Sequence, residues 1–150
     1  MKITELEDPS APEIDVLIDL LHQQMIDIGS KKTKQGIQSS IQNALKPDSR
    51  ARFFIAFEEE LPVGMAFINV CSGIESEGDY VWLNELQVNA SSRRQGFGTQ
   101  IIQHIVEWSK ANKCEHIICA ASKLNQASRQ LFQANGFSGS DMTLLERSLA

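Results

Sequence analysis

The stretch 86-LQVNASSRRQGFGTQIIQHIVEW-108 decides the fold of this 150-residue chain. Apolar strand residues come first, a polar loop with Arg93, Arg94 and a Gly-x-Gly follows, and apolar residues at helical spacing end it. A helix N-terminus carries unpaired N–H groups and the positive end of the helix dipole, which favour an anion. Glycine at 96 and 98 lets a ligand approach the backbone without a Cβ in the way. The stretch therefore predicts a phosphate-binding turn between a strand and a helix.

Two common phosphate-binding motifs do not match this stretch. A P-loop requires Lys-Ser/Thr after its last glycine, whereas Gly98 is followed by Thr99 and Gln100. A dinucleotide-binding motif requires a third glycine, and Ile101 stands at that position. A glycine-bearing turn without a ligand is the alternative that these residues leave open.

Composition indicates one domain over residues 1–150. The net charge of −5 argues against a nucleic-acid partner, because nucleic-acid binders are usually basic. Cys71, Cys114 and Cys119 are an odd number without Cys-x-x-Cys spacing, so we expect free thiols and no metal site. No apolar run approaches 18 residues and the first ten residues lack an apolar signal core, so we expect a cytoplasmic protein with no membrane contact.

Hydrophobic periodicity and turn residues predict the order β-α-α-β-β-β-α-β-α-β. This order favours a mixed sheet, because strands outnumber helical crossovers. A polar loop is expected at 72–79, and 116–122 is expected to be a short buried strand. The other strands are predicted at 1–7, 51–59, 63–71, 80–88 and 142–149. Helices are predicted at 14–25, 33–45 and 125–136, with Gly136 as the C′ residue of the last. A further helix is predicted in the opening stretch, with one face formed by Ile101, Ile102, Ile105, Val106 and Trp108.

Two motifs resemble those of the GNAT superfamily of acyl-CoA-dependent N-acetyltransferases. The first is Arg93-x-x-Gly96-x-Gly98, which follows Leu86-Gln87-Val88. The second lies about thirty residues further on and contains Asn125-x-x-Ser128, Leu131-Phe132 and Gly136-Phe137. The resemblance implies an α/β (α+β) GNAT fold. Such a fold has a mixed central sheet of about six to seven strands, about four flanking helices, and splayed parallel strands at the CoA site.

The resemblance also implies acetyl-CoA as co-substrate and no metal. The pyrophosphate would lie on the backbone N–H groups of residues 94–99. The pantetheine would follow strand 82–88, which would be parallel to strand 116–122 and splay from it. Backbone groups near Leu86 and Val88 would hold the pantetheine amides and polarise the thioester carbonyl. The implied cofactor-binding residues are Leu86, Gln87, Val88, Arg93, Arg94, Gln95, Gly96, Phe97, Gly98, Thr99, Asn125, Ser128 and Phe132.

Glu85 is the acid within the central strand, and many GNAT enzymes place a general base at or near this position. A carboxylate with a pKa of about 4.3 is a poor direct base for an ammonium of pKa about 10.4, so a water relay is expected. Asn84 is the competing candidate, as a residue that positions water. An outward-facing strand residue without a catalytic role remains the alternative for Glu85.

One position departs from the family pattern. Many relatives have a tyrosine, which protonates the departing thiolate, four residues before the Gly-Phe pair, and this chain has Phe132 there. The single tyrosine is Tyr80, at the start of the central strand. A CoA thiolate of pKa about 8.5 can leave and take a proton from solvent. We expect Phe132 to pack along the pantetheine arm.

The acceptor is predicted to be a primary amine, and a small cationic one. Asp27, Glu75, Glu77 and Asp79 are expected to border the acceptor side and attract a polyamine, an amino sugar or a lysine-like side chain. Simple solvation of these carboxylates is the alternative. A protein N-terminal or lysine acetyltransferase and a non-catalytic acyl-CoA-binding module are the competing functions. A homodimer is a further expectation, since family members often dimerise.

Overall fold

The computed structural model describes all residues from Met1 to Ala150 and contains five strands and four α-helices. The strands are β1 (Lys2–Leu6), β2 (Ala51–Glu58), β3 (Leu61–Gly73), β4 (Gly78–Val88) and β5 (Ile117–Cys119). The helices are α1 (Glu13–Asp27), α2 (Lys34–Ala44), α3 (Phe97–Ala111) and α4 (Gln126–Ala134), with a short 3-10 turn at Ala90–Ser92. The predicted element order is confirmed up to α4.

The five strands form one sheet in the order β1-β2-β3-β4-β5. The first three pairings are antiparallel, and β4 pairs with β5 in parallel. The mixed sheet predicted from the sequence is therefore confirmed. The β3–β4 hairpin is longer than expected, because strand pairing continues to Gly73 and Gly78. The predicted loop at 72–79 is wrong in extent, and only residues 74–77 form the turn.

The sheet has five strands rather than six to seven, and the predicted strand at 142–149 is absent. A strand requires a hydrogen-bonded neighbour, whatever its sequence pattern. Residues 138–150 make no backbone–backbone hydrogen bond, so this segment has no strand partner despite its alternating sequence pattern.

Helices cover both faces of the sheet, and buried side chains of the helices and strands form two apolar clusters. One cluster lies under α1 and α2 and includes Leu17, Phe53 and Met65. The other lies under α3 and includes Phe54 and Ile101. Successive side chains of a strand point to opposite faces, so the continuous run Phe53-Phe54-Ile55-Ala56 of β2 fills both clusters. Fully burying a side chain such as Phe54 contributes about 1.5–3 kcal/mol.

The end of the sheet beyond β4 is less well covered. The strand predicted at 116–122 is confirmed only over Ile117–Cys119, and its predicted burial is wrong, because all three residues of β5 are only partly buried. β5 is the edge strand, so one side of it has no neighbour. The three cysteines are free, and none is fully buried. No helix of the chain has the length and apolar character needed to cross a membrane.

Candidate active site

A β-bulge in β4 sets the direction of the central side chains. Phe67 of β3 lies opposite Glu85 and Ile68 lies opposite Leu83, so Asn84 is an extra residue in β4. Leu83 packs in the cluster under α3, and Leu86 packs against the same cluster. Without the bulge, side chains three positions apart would face opposite sides of the sheet. The bulge therefore turns Glu85 towards α1.

The same bulge changes which strand the backbone groups of β4 face. Val81 donates its N–H to His116 O on the β5 side, at 2.9 Å. Asn89 donates to Val63 O on the β3 side, at 2.8 Å. Backbone groups of successive strand residues alternate between the two neighbours, so the extra residue shifts this alternation. As a result, Leu86 and Val88 present their backbone groups to the β5 side.

On that side β5 is no longer present. The parallel pairing joins Val81 to Ile117, Trp82 to Ile118 and Leu83 to Cys119, and it ends there. β4 continues through residues 84–88 beside an open gap, as expected for strands that separate after a short paired stretch. Arg93 Nε donates to Val88 O at 3.1 Å, so the backbone groups of Leu86 and the N–H of Val88 remain for a ligand.

The turn between β4 and α3 presents a row of free backbone donors. None of the N–H groups of residues 93–99 donates a hydrogen bond within the chain. Gly96 is the N-cap of α3 with a φ of 79°, and no side chain caps the helix. Arg94 also has a positive φ, of 63°. The positive end of the α3 dipole and these N–H groups form a site suited to a phosphate.

The side chains of this turn divide into exposed and packed residues. Arg93, Arg94 and Gln95 are exposed beside the free N–H groups. The side chain of Phe97, the first residue of α3, is buried, so only its backbone N–H can reach a ligand. Thr99 is partly buried, with its Oγ1 3.4 Å from the Asn135 amide.

Gly98 is also required by the packing of α4. A Cβ at position 98 would lie 3.0 Å from Leu131 Cδ2, which is tighter than ordinary side-chain contact. The absence of a side chain at Gly98 therefore lets α4 approach the first turn of α3. Within α4, Asn125 accepts a hydrogen bond from Ser128 N at 3.0 Å and caps the helix. Phe132 packs edge-on against Phe137, with ring centroids 5.2 Å apart.

Glu85 receives a hydrogen bond from α1 across the sheet face. Gln24 Nε2 donates to Glu85 Oε2 at 2.9 Å, and both side chains are half-buried. Burial raises the pKa of Glu85, and the hydrogen bond from Gln24 opposes part of this rise. The Oε1 atom of Gln24 is buried without a partner.

Gln24 was not identified from the sequence. It lies four residues after Leu20 and seven after Leu17, both of which are buried, so it falls on the apolar stripe of α1. A polar residue on a stripe that faces the core was the signal that could have identified it.

Asn84 faces a different set of neighbours. Its amide lies 2.7 Å from the Asn69 amide. In the amide orientation that gives partners to both the oxygen and the nitrogen of Asn84, the oxygen accepts from Trp82 Nε1 at 3.2 Å. No hydrogen bond joins Asn84 to Glu85. Tyr80 stacks on His116 near the start of β4, with centroids 5.1 Å apart, and the neighbouring Cys71 raises its pKa.

The four carboxylates expected around the acceptor are distributed over separate places. Asp79 pairs with Arg50 at 2.5 Å, and Glu75 and Glu77 lie in the exposed β3–β4 turn. Asp27 instead lines a groove of about 520 Å³ between α1 and the end of β4. None of the other three carboxylates lines this groove, which also includes Asp19, Gln23, Gln87 and Asn89. Gln87 is 6% exposed, and its Oε1 has no hydrogen-bond partner.

The open gap in a mixed sheet, beside an uncapped helix N-terminus, gives the molecule the features of an acyl-CoA-binding transferase domain. No group of three or more His, Cys, Asp or Glu side chains is arranged to hold a metal ion.

Solved structures share this fold. The aminoglycoside acetyltransferase meta-AAC0020 from an uncultured soil metagenomic sample, in complex with sisomicin, has a TM-score of 0.85. It is 19% identical, and the match covers 99% of this chain and 96% of that chain. The aminoglycoside N-acetyltransferase AAC(6')-Iy, in complex with CoA, has a TM-score of 0.81 at 18% identity, over 99% of this chain and 95% of that chain.

Sequence comparison gives the family. The model of the Acetyltransferase (GNAT) family matches residues 16–137, and the chain belongs to this family. An uncharacterized N-acetyltransferase of Bacillus subtilis (strain 168), YobR, is 30% identical over 86 residues, which are 57% of this chain. This match covers 32% of YobR, so the chain corresponds to about a third of that relative.

Proposed function

We propose that the protein is an N-acetyltransferase that moves an acetyl group from acetyl-CoA to a primary amine. The observation that carries this proposal is the row of free N–H groups at residues 93–99, next to the open edge of β4. An anionic ester with a long, amide-containing arm fits both features, because the phosphates need donors and the amides need a strand edge.

Acetyl-CoA would bind along this line. Its pyrophosphate would accept hydrogen bonds from N–H groups of residues 94–99, with Arg93 and Arg94 adding charge. Its pantetheine amides would pair with the backbone of Leu86 and Val88. Asn125 retains its Nδ2 for the arm while its oxygen caps α4, and Ser128 and Phe132 would flank the arm from the same helix.

The transfer requires removal of a proton from the amine. In the proposed step the amine nitrogen attacks the thioester carbonyl carbon, and the resulting oxyanion is stabilised by a backbone N–H of β4. The C–S bond then breaks and the CoA thiolate leaves. Glu85 takes the amine proton through a water, and its raised pKa makes it a better base than an exposed carboxylate. Solvent protonates the thiolate, since Phe132 has no hydroxyl.

Gln24 would act as the positioning residue for this base. Its Nε2 holds the Glu85 carboxylate on the α1 face. Asn84 stays in the proposal as a residue that orders water at the mouth of the site.

For the acceptor we propose a small cationic amine, with an amino sugar as the first choice. The groove beside α1 is lined by Asp19, Asp27 and Gln87, and no basic side chain lines it. Carboxylates and amide oxygens accept hydrogen bonds from ammonium groups. The sisomicin complex of meta-AAC0020 concerns a protein of the same fold and supports testing amino sugars. Three free cysteines suit a reducing compartment, and we place the reaction in the cytoplasm.

Phe132 favours one second candidate, a domain that binds acyl-CoA without transferring the acyl group. A panel of amines, with release of the CoA thiol as the readout, decides between the two. The enzyme proposal expects thiol release with at least one cationic amine and its loss in Glu85→Gln. CoA binding without thiol release across the panel would support the binding module, and the absence of CoA binding would overturn both.

A further inference from the structure

Gln87 is a polar residue in an apolar part of the fold. Its partner across the β3–β4 pairing is Met65, which belongs to the cluster under α1 and α2. Residues directly opposite each other in neighbouring strands point to the same face, so the Gln87 side chain lies on the α1 side of the sheet. Gln87 is 6% exposed, and its Oε1 is buried without a hydrogen-bond partner.

This buried amide has a cost that the packing of the chain does not offset. A buried polar atom without a partner destabilises the folded state, because it has lost its hydrogen bonds to water. A methionine at position 87 would have a similar length and would pack beside Met65 without this penalty. The presence of a glutamine therefore indicates a role other than packing.

Gln87 forms the floor of the groove between α1 and the end of β4. Asp19, Gln23 and Asp27 line the same groove from α1. Asp19 and Asp27 are exposed, and both have partners. Lys34 Nζ lies 2.9 Å from Asp19 Oδ1, and Gln23 Nε2 donates to Asp27 Oδ1 at 2.9 Å. The rim of the groove is thus charged and paired, whereas its floor is neutral and unpaired.

The Gln87 amide can present either of its two ends to the groove. No hydrogen bond within the chain holds this amide in one orientation. A half-turn about its last side-chain bond exchanges Oε1 and Nε2, so the groove can meet either a carbonyl that accepts or an NH₂ group that donates. A ligand group that both donates and accepts would satisfy the amide in either orientation.

A hydroxyl group has the chemistry that this floor requires. It donates and accepts, and it is neutral. An ammonium group only donates, and moving its charge onto a nearly buried floor carries a large desolvation cost. A carboxylate or phosphate would be repelled by Asp19 and Asp27 at the rim.

We propose that Gln87 binds a hydroxyl group of the acceptor, so that the enzyme selects amines that also carry a hydroxyl. The inference rests on the proposed acetyl transfer and adds the residue that separates hydroxylated amines from plain alkyl amines. Gln87 lies two residues after Glu85 on the same face of β4, which places the two positions about 7 Å apart. A small acceptor held by its hydroxyl at Gln87 would therefore bring its amine near the water at Glu85.

Two ring amines that differ by one hydroxyl test this selection. In NMR titrations of the isotope-labelled protein saturated with CoA, 2-aminocyclohexanol should bind about tenfold more tightly than cyclohexylamine, the effect of one hydrogen bond in a nearly buried site. The side-chain amide signals of Gln87 should shift with 2-aminocyclohexanol and stay in place with cyclohexylamine. The titration measures binding without chemistry, so its result does not depend on turnover.

Gln87→Met removes the amide and keeps the length of the side chain. The variant should bind the two amines with affinities that differ less than about twofold. It should also unfold at a higher urea concentration than the wild type, because the unpaired buried amide is lost. Gln42→Met, the same substitution at an exposed glutamine of α2 that does not line the groove, is the control and should change neither result.

Equal binding of the two amines by the wild type would overturn the proposal, and so would a preference that survives in Gln87→Met. A Gln87→Met variant that is less stable than the wild type, or does not fold, would show that the amide has a partner within the protein and would also overturn it. A failure of the proposed acetyl transfer looks different. In that case no amine of the panel releases the CoA thiol, while the titration of the wild type still decides whether Gln87 binds a hydroxyl.

Discussion

Gln24 of α1 and Glu85 of β4 lie 61 residues apart in the chain and are joined by a hydrogen bond of 2.9 Å. The bond is made possible by the bulge at Asn84, which turns Glu85 towards α1. The proposed base is thus held by a helix that carries no sequence motif.

Replacing Gln24 by Met should lower kcat/KM for the amine about tenfold, the effect of losing a hydrogen bond to a charged group. Gln24 lowers the pKa of Glu85, so the acidic limb of the pH–rate profile should move to higher pH in the variant. Gln42→Met, at an exposed glutamine of α2 that does not line the groove, is the control and should leave the limb in place. If the acidic limb of the Gln24→Met profile stays at the wild-type pH, Gln24 does not act on Glu85.

Replacing Glu85 by Gln should reduce turnover about 10²–10⁴-fold while CoA affinity barely changes. The variant keeps the shape of the side chain and removes the base. Stopped assays of thiol release across the pH range provide the measurement. A wild-type rate throughout would shift the role to water ordered by Asn84 or to the substrate itself. If instead Glu85→Gln is slow and Gln24→Met is normal, only the Gln24 prediction fails and Glu85 keeps its role as the base.

The same variant should be more stable than the wild type at neutral pH. Burial raises the pKa of Glu85, so the folded state binds its proton more tightly than the unfolded state does. The contribution of Glu85 to stability is therefore fully present below its ordinary pKa of about 4.3 and is lost as pH rises through the higher folded value. Urea unfolding at pH 4 and pH 7.5 should show an advantage of Glu85→Gln only at pH 7.5. An equal difference in unfolding free energy between the variant and the wild type at both pH values would contradict burial as the cause.

Gly96→Val should abolish most of the affinity for CoA. Gly96 has a φ of 79°, and a branched side chain there is strained by about 1–3 kcal/mol and would distort the row of N–H donors. Gly29→Val is a matched control, because Gly29 has a φ of 74° and equally open surroundings at the end of α1. Both variants should lose similar stability, and only Gly96→Val should lose CoA affinity by calorimetry. Gly98→Val is less informative, since it would also displace Leu131.

Asp27→Asn should raise KM for a cationic amine about two- to fivefold, the range expected for one exposed ion pair. The KM for acetyl-CoA should not change. Glu75→Gln is the control, because Glu75 lies in the exposed turn away from the groove. A larger effect of Glu75→Gln than of Asp27→Asn would place the acceptor at the β3–β4 turn. An amine KM that does not depend on ionic strength would argue against any cation-selecting site.

The elements that rest on local chemistry could be predicted from the sequence. Gly136 takes the positive φ expected after α4, and Thr33 and Asn125 cap their helices through short-range hydrogen bonds. The parallel pairing of β4 with β5 and the gap that follows it were implied by the resemblance. The strand at 142–149 was predicted wrongly, because periodicity reports a tendency to form a strand and does not supply the partner.

By itself, the sequence determined the family, the order of elements up to α4 and the glycine-bearing turn at the start of α3, because each depends on residues close together in the chain. Only the tertiary structure decided the surroundings of Glu85. The bulge, the approach of Gln24 and the burial that raises the pKa of Glu85 all depend on contacts between α1, β3 and β4. The separation of Asp27 from Asp79 and the free edge of β5 have the same origin. Such contacts are set by packing between distant segments, which a local pattern of residues does not record.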